Sequence, residues 1–467
     1  MNEIRTGTVS IQSVELIRDY TTTPVSLNNI FLELNLFEDI YSDSVSGNIL
    51  VVDTSNIVSN YPVRGTEFLK IKMMSDVTSI VIDKIFRIYE ISERRQLSPG
   101  QIVYIINFIS IEKVMNSDFI ISQSFSRTTT SDVVKDVWKQ FLEHYNSKHA
   151  VVYPTSHLPK ANLNYINSFI GGQNSFVSDN ESFDVFNNNN MFNIEVQKTK
   201  YISDFIIPGW CVYSTIHWLA SRSVAENKKG SNFLFFETLE GFKFVSLESL
   251  YVSGKERLSV DNTRIYNFTG VPQTADEFQS MMGQRYISSF NVVQSPNLIE
   301  NVKMGMYSSK MIQHDLLRRS YDIIEFDYRQ SYLDSINYKH TYRNVYPHVH
   351  LNDFPLAEVD VAVNNYDSSS HTFYQTKPEN DDYSYLWKQS RISQLQQLEN
   401  VKLELTLDGY IDIYAGQVVQ VNIGDARAGG SNELDPLYSG NYIVTGLRHK
   451  IDKNKYEVVM EVSKDSF

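Results

Sequence analysis

Between residues 27 and 110 apolar side chains recur at every second position. Leu32, Leu34 and Leu36 alternate with Glu33 and Asn35, and Leu69, Ile71 and Met73 alternate with Lys70 and Lys72. That period belongs to antiparallel strands with one face buried. Pro99-Gly100 separates two strand-like runs, 86–91 and 102–108, and predicts a hairpin turn. The run 102–109 is nearly apolar on both faces, Asn107 apart, so that strand is expected to be covered on both sides, as at a subunit interface.

The period then changes. Ser131 as a cap, Asp132 in the first turn, and Val134, Val137, Trp138, Phe141 and Tyr145 at helical spacing predict a helix. Residues 154–194, with Gly171-Gly172 and four asparagines at Asn187 to Asn190, read as a long loop or insertion. Residues 210–227 return to helical spacing through Val212, Ile216, Leu219 and Ser223, with Gly230 as the stop. A hairpin is expected from 233–236 and 242–245 about Leu239-Glu240-Gly241. Residues 254–385 give a mixed pattern, and 360–382 is polar enough for an exposed loop.

A helix at 385–400 places Trp387, Arg391, Leu395 and Leu398 on one side, after which alternation resumes in Leu403, Leu405 and Leu407. Asp408-Gly409 marks a turn, and Val419, Val421 and Ile423 form a strand face. Asp452 to Asn454 turns a last hairpin into Tyr456, Val458, Met460 and Val462. A short echo, SGNILV at 46–51 and SGNYIV at 439–444, hints at related ends. The fold class is α+β, mostly β. The expected domains are 1–113 (a first β-barrel), 114–255 (an α/β domain with helices and a hairpin), 256–390 (a mixed middle region with a polar loop) and 391–467 (strands completing a second β-barrel).

At 467 residues the chain has room for several domains and a large core. Its formal charge of −13 argues against a broad electrostatic grip on nucleic acid. One cysteine, Cys211, excludes an internal disulfide, a thiolate zinc cluster and a CxxC pair, and points to a reducing cytoplasm. The opening MNEIRTGTVS shows no export segment. The least charged stretch, 205–221, is broken by Pro208 and Gly209, so no membrane anchor is expected.

Sequence motifs for phosphate loops, dinucleotide folds, nucleophile elbows and zinc proteases are missing. His348 and His350, two apart in PHVH with His340 and Asp353 nearby, are the best metal candidates. A site needs at least three converging ligands, and exposed histidines beside Pro347 are the plainer reading. Glu237 with Glu240, and Asp381 with Asp382, are paired acids of the kind glycoside hydrolysis uses, but read better as turn and surface residues. Cys211 with His217 as base is set against a buried structural thiol in an apolar helix. The pairs Arg94-Arg95, Lys228-Lys229 and Arg318-Arg319 lack the interleaved aromatics of a nucleic-acid groove. The expected inventory is no catalytic residue, no metal ligand and no cofactor.

The segment LNLFEDIYSDSVSGNILVVDTSNIVSNYPVRGTEFLKIKM (34–73) resembles the opening barrel of baseplate hub proteins of contractile-tailed phages. These are the T-even hub type, related in fold to the VgrG spike of type VI secretion. IIPGWCVYSTIHWLASRSV with FLFFETLEGFKFVSLESLY (206–251), NLIENVKMGMYSSKMIQHDL (297–316) and DPLYSGNYIVTGLRHKIDKNKYEVVMEVSKDS (435–466) are similar to the same family. The stretches near Asn187 and at 360–382 match nothing in it. The resemblance implies two tube-like barrels per chain and a homotrimeric ring adapting a sixfold tail tube to a threefold central spike. It also implies contacts with tail tube or tube-initiator proteins and the tape measure protein. DNA would be met only in transit, in a virion assembled in the host cytoplasm. An enzyme, a tail-associated glycan hydrolase or peptidase, is the alternative, and a sugar-binding adhesin a third class.

Overall fold

The computed structural model describes residues 9–17, 24–54, 57, 63, 65, 67–75, 81–152, 183–186, 194–226, 230–259, 264–268, 285–315, 320–328, 357–363, 384–424, 434–452 and 455–465. The first part holds β1 (Val9–Ile17), β2 (Val25–Ser26), β3 (Phe31–Asp39), β4 (Ser46–Asp53), β5 (Phe68–Ser75), β6 (Val81–Ser98) and β7 (Gln101–Ser110). Next come α1 (Ile111–Asn116), β8 (Ile120–Thr129), α2 (Thr130–Val152), β9 (Phe183–Phe186), β10 (Ile194–Gln197), β11 (Ile202–Cys211), α3 (Val212–Ala220), β12 (Phe233–Thr238), β13 (Gly241–Ser246) and α4 (Leu247–Leu258). Then follow β14 (Ile265–Phe268), β15 (Arg285–Gln294), α5 (Leu298–Lys303), β16 (Ser308–Asp315), β17 (Ser320–Asp327), β18 (Ala357–Val363) and α6 (Ser384–Leu398). The chain closes with β19 (Val401–Asp408), β20 (Val418–Ile423), β21 (Gly440–Asp452) and β22 (Tyr456–Lys464).

One large sheet runs β2-β1-β5-β6-β7-β4-β3-β21-β20-β14-β15-β19-β22. Because β22 also pairs with β21, the last six strands close on themselves as a barrel. The first seven form a sheet joined to that barrel through the antiparallel β3–β21 seam, Phe37 opposite Arg448 and Asn35 opposite Lys450. The protein is therefore mostly β, with two β units at its two ends. β14 is parallel to both its neighbours, so the barrel mixes one parallel strand with antiparallel ones. A single apolar core spans both units, with Leu34, Ile49, Ile106 and Phe108 in the first and Leu403, Val421, Val458 and Met460 in the second.

Gly47 is fixed by crowding, since a Cβ there would lie 2.4 Å from both the Asn35 carbonyl oxygen and the Phe108 ring. Gly440, its counterpart in the echoed segment, opens β21 with φ of 135° and meets nothing. The echo is a likeness of sequence without a likeness of backbone role.

The α/β region between α1 and α4 has its own core around Trp138, which touches Phe141, Tyr213, Phe235 and Phe242. Above it lie a four-stranded sheet, β12-β13-β10-β9, and a two-stranded ribbon, β8-β11. A further sheet, β17-β16-β18, packs against α6.

Several local expectations need correction. Leu32 does not share the face of Leu34 and Leu36, because a bulge between Phe31 and Glu33 turns it outward, 42% exposed. Thr129, not Ser131, caps α2: the Asp132 amide donates to its Oγ1 and its hydroxyl donates back to the Asp132 carboxylate. The helix expected at 210–227 is α3 alone, for Trp210 and Cys211 finish β11, opposite Ile121 and Ile120. Asp360 begins no loop, since it lies inside β18 at an irregularity of the register, with Val359 and 361–363 paired to β16 on either side; residues 364–382 lie outside the described residues. In β7, Tyr104, Ile106 and Phe108 are buried while Ile105 and Ile109 are half-covered on the opposite face.

A buried ionic junction and a polar row as candidate functional sites

Three buried glutamates and a lysine gather where the first sheet, the α/β region and the barrel meet. Glu38 sits near the end of β3, Lys84 on β6, Glu112 in α1 and Glu237 on β12. Glu38, Glu112 and Glu237 retain only 2%, 6% and 1% exposure. β12 lies beside β3, which makes possible a reciprocal arrangement of the two glutamates. Glu38 on β3 accepts from the Leu239 amide in the β12–β13 turn (3.0 Å), and Glu237 on β12 accepts from the Val45 amide in the β3–β4 turn (2.8 Å). Glu38 also accepts from the Ala415 amide ahead of β20 (3.0 Å), so it touches all three parts. Lys84 donates to Glu237 at 2.5 Å.

Burial raises the Glu38 carboxyl to about 7 even though two amides oppose the shift. Glu112 is pushed up to about 8, by burial first and by the neighbouring Glu237 second. Burial alone would lower Lys84, but Glu237 and Glu112 outweigh it and raise its affinity for the proton. Clusters of this kind mark catalytic clefts when substrate can reach them. Here the carboxyl groups are sealed, and the Glu38 and Glu237 oxygens are taken by amides or the ammonium. They act as clamps.

At the rim, Lys113 donates to both Asp43 oxygens at 2.7 Å, and His217 Nε2 stands 3.5 Å from the same carboxylate. Burial would raise Asp43, but the hydrogen bonds from His217 and Lys113 hold it well below the usual carboxylate range. The imidazole expected to serve Cys211 thus faces Asp43, and Cys211 ends a strand rather than lying inside a helix. Glu237 is likewise no surface acid, while Glu240 pairs with Lys243 in the hairpin turn at 3.5 Å. His340, His348, His350, Asp353, Asp381, Asp382, Lys228, Lys229, Arg318 and Arg319 lie outside the described residues. Among the described residues no group of three or more His, Cys, Asp or Glu is arranged to hold a metal.

A second feature lies on the face turned away from the core. Register pairs run Glu90–Asn107–Asn48–Asn35–Lys450–Glu457–Asp408, one residue from each of seven successive strands and across the β3–β21 seam. Asn35 Nδ2 donates to Asn48 (2.9 Å) and Glu33 (2.8 Å), and Arg448 Nε donates to Asn35 (2.9 Å). Asn107 donates to Glu90 and Ser92. The cations are tied down: Arg448 reaches Glu33 at 3.2 Å, and Lys450 stands 3.9 Å from Glu33 and 4.0 Å from Glu457. Alternation implied that this face is polar. The pairing across the seam was invisible in sequence, because it depends on which strands become neighbours.

No known family profile matches the chain. It is 21% identical over 280 residues to the probable baseplate hub protein gp334 of Vibrio phage KVP40, over 58% of this chain and 62% of that one. The chain resembles phage baseplate hub proteins. The matched stretch spans less than two thirds of that hub protein's length. Two solved structures are also similar. A tail protein of Neisseria meningitidis aligns over 97% of this chain and 96% of its own, at 9% identity and a TM-score of 0.49. The 43 kDa tail protein of prophage MuSo2 of Shewanella oneidensis aligns over 97% and 98%, at 9% and 0.46. No helix among the described residues is long and apolar enough to cross a membrane.

Proposed function

We propose that the chain is a structural hub of a contractile phage tail baseplate. Three copies would form a ring that adapts the sixfold tail tube to the threefold central spike and encloses part of the DNA ejection channel. The observation that carries this reading is the sequence likeness to a probable baseplate hub over 280 residues. The architecture supports it: two β units joined through one continuous sheet give a single chain two similar-sized wall segments, so three chains supply six.

In this reading the partners are two further copies, the spike, tail tube or tube-initiator proteins and the tape measure protein. The ionic junction keeps the two β units and the α/β region in fixed orientation, which a load-bearing adaptor needs. The chain works without a metal or cofactor and performs no catalysis. Mass measurement of the protein assembled with its spike tests the reading: three copies of the chain are expected, and a stable dimer or six copies in the ring contradicts it.

A further inference from the structure

Two ion pairs of the junction, Lys84 with Glu237 and Lys113 with Asp43, have similar separations, 2.5 Å and 2.7 Å, and opposite surroundings. The Lys113–Asp43 pair lies at the rim, its side chains 38% and 17% exposed, where hydrogen bonds from His217 and Lys113 keep the carboxylate ionised. The Lys84–Glu237 pair lies inside, and Glu237 keeps 1%. It bridges residues 153 apart in the chain, from β6 of the first sheet to β12 of the α/β region. The two Glu237 oxygens are differently engaged: Oε1 accepts from the ammonium, and Oε2 accepts from the Val45 amide at 2.8 Å. Glu112 is close enough for its charge to act on both partners, and burial with Glu237 beside it keeps its own carboxyl protonated up to about 8. A nucleophile, a carboxyl with a backbone donor on one oxygen and a proton-bearing acid thus share a space that water barely enters. Those are the parts that amide formation between side chains needs.

We propose that Lys84 and Glu237 condense into an intramolecular amide, a covalent cross-link between β6 and β12. The ammonium hands one proton to Oε1 along the existing hydrogen bond, which leaves an amine beside a carboxylic acid. The nitrogen attacks Cδ, and the charge that develops on Oε2 is received by the Val45 amide. Glu112 gives its proton to the Oε1 hydroxyl and takes one from the nitrogen, so that the Cδ–Oε1 bond breaks, water departs and the N–Cδ amide bond remains. One water leaves, nothing is oxidised or reduced, and Glu112 ends as it began. The step acts once, on the chain itself, and takes no outside substrate.

Two features favour the product. The fold already holds the reacting groups together, so reaching the transition state costs little freedom of approach. A neutral amide also replaces two charges that the interior solvates poorly. The step is slow, because Glu237 and Glu112 favour the ammonium over the amine. The freshly folded chain therefore carries the ion pair, and the amide accumulates afterwards. The cross-link would rivet the first sheet to the α/β region, and it does not depend on the hub reading.

The test uses full-length protein, aged after purification, then denatured, weighed intact and digested with trypsin. The expected result is a mass lower by one water in a fraction that grows with time, together with peptides 73–87 and 230–243 joined to each other and uncut at Lys84. Lys113 and Asp43 should stay unlinked. Lys84→Arg, which keeps the cation without an amine, should retain its full mass. Glu112→Gln, with circular dichroism unchanged, should form the link roughly a hundredfold more slowly, and in the unaltered chain the rate should fall above about 8, where Glu112 releases its proton. An unaltered chain that keeps its full mass on ageing, or that loses water without joining these two peptides, overturns the proposal. A link formed equally fast in Glu112→Gln overturns the part given to Glu112; if that variant fails to fold, the pH profile of the unaltered chain decides the point.

Discussion

Lys84 is held by Glu237 and drawn on by Glu112 in a space that water barely enters. Removing one partner of such a pair leaves a buried charge unanswered. Lys84→Met should therefore cost about 3 kcal/mol in urea unfolding at pH 8, and less at pH 5, where the raised Glu112 carboxyl carries a proton and no longer draws on the ammonium. The raised carboxyls also set a pH dependence. With folded values of about 7 for Glu38 and about 8 for Glu112 against the ordinary 4.5, the folded chain keeps protons that the unfolded chain has released. Stability should fall as pH climbs from about 4.5 to about 8 and level off above. Glu112→Gln should flatten that slope; a slope unchanged in this variant, followed by denaturant melts from pH 5 to pH 9, contradicts the assignment. None of this was legible in sequence. Glu237 looks like a turn acid in FFETLEGF, and only the approach of β12 to β3 buries it.

Elements were easier to read than residues. The alternation in Leu69, Ile71 and Met73 corresponds to three buried side chains, and the Pro99-Gly100 turn and the β12–β13 hairpin stand where their turn residues put them. Helix α6 was found, but its buried side was misjudged. Besides Trp387 and Leu398 it buries Gln389, Ser393, Gln394 and Gln397, while Leu395 is only half-buried. Apolar periodicity cannot detect a helix face satisfied by hydrogen bonds. Gln389 Nε2 donates toward the Ser309 carbonyl (3.0 Å) and hydroxyl and the Ile324 carbonyl, and Ser393 donates to the Met306 carbonyl. Gln389→Ala should cost about 1–3 kcal/mol, since it orphans buried acceptors. Trp138→Ala, at the centre of the α/β core, should cost about 3–5 kcal/mol. Equilibrium unfolding checks both. β14 and β15 escaped detection for a different reason: their barrel neighbours, β20 and β19, are more than a hundred residues away.

On the scale of the whole molecule the sequence already carried the class of the answer, in its strand-rich ends and acidic balance, but not how the ends meet. The β3–β21 seam fuses them into one sheet, and the polar row crosses that seam. If this face looks into the channel, its cations must not hold passing phosphates, because each fixed Lys or Arg that neutralises a phosphate adds counterion-release affinity. Arg448 and Lys450 are already engaged by Glu33 and Glu457. Duplex DNA should therefore migrate unretarded past the protein at low ionic strength, whereas Glu33→Gln with Glu457→Gln should retard it. Micromolar binding by the unaltered protein, lost on replacing Arg448 and Lys450, contradicts a non-adhesive wall. The central claim meets its most direct test in an electron cryo-microscopy map of the tail tip of virions that encode this chain. The account predicts three copies of it in a ring between tail tube and spike, with the polar row facing the lumen; absence of the chain from that position, or any other copy number there, contradicts it.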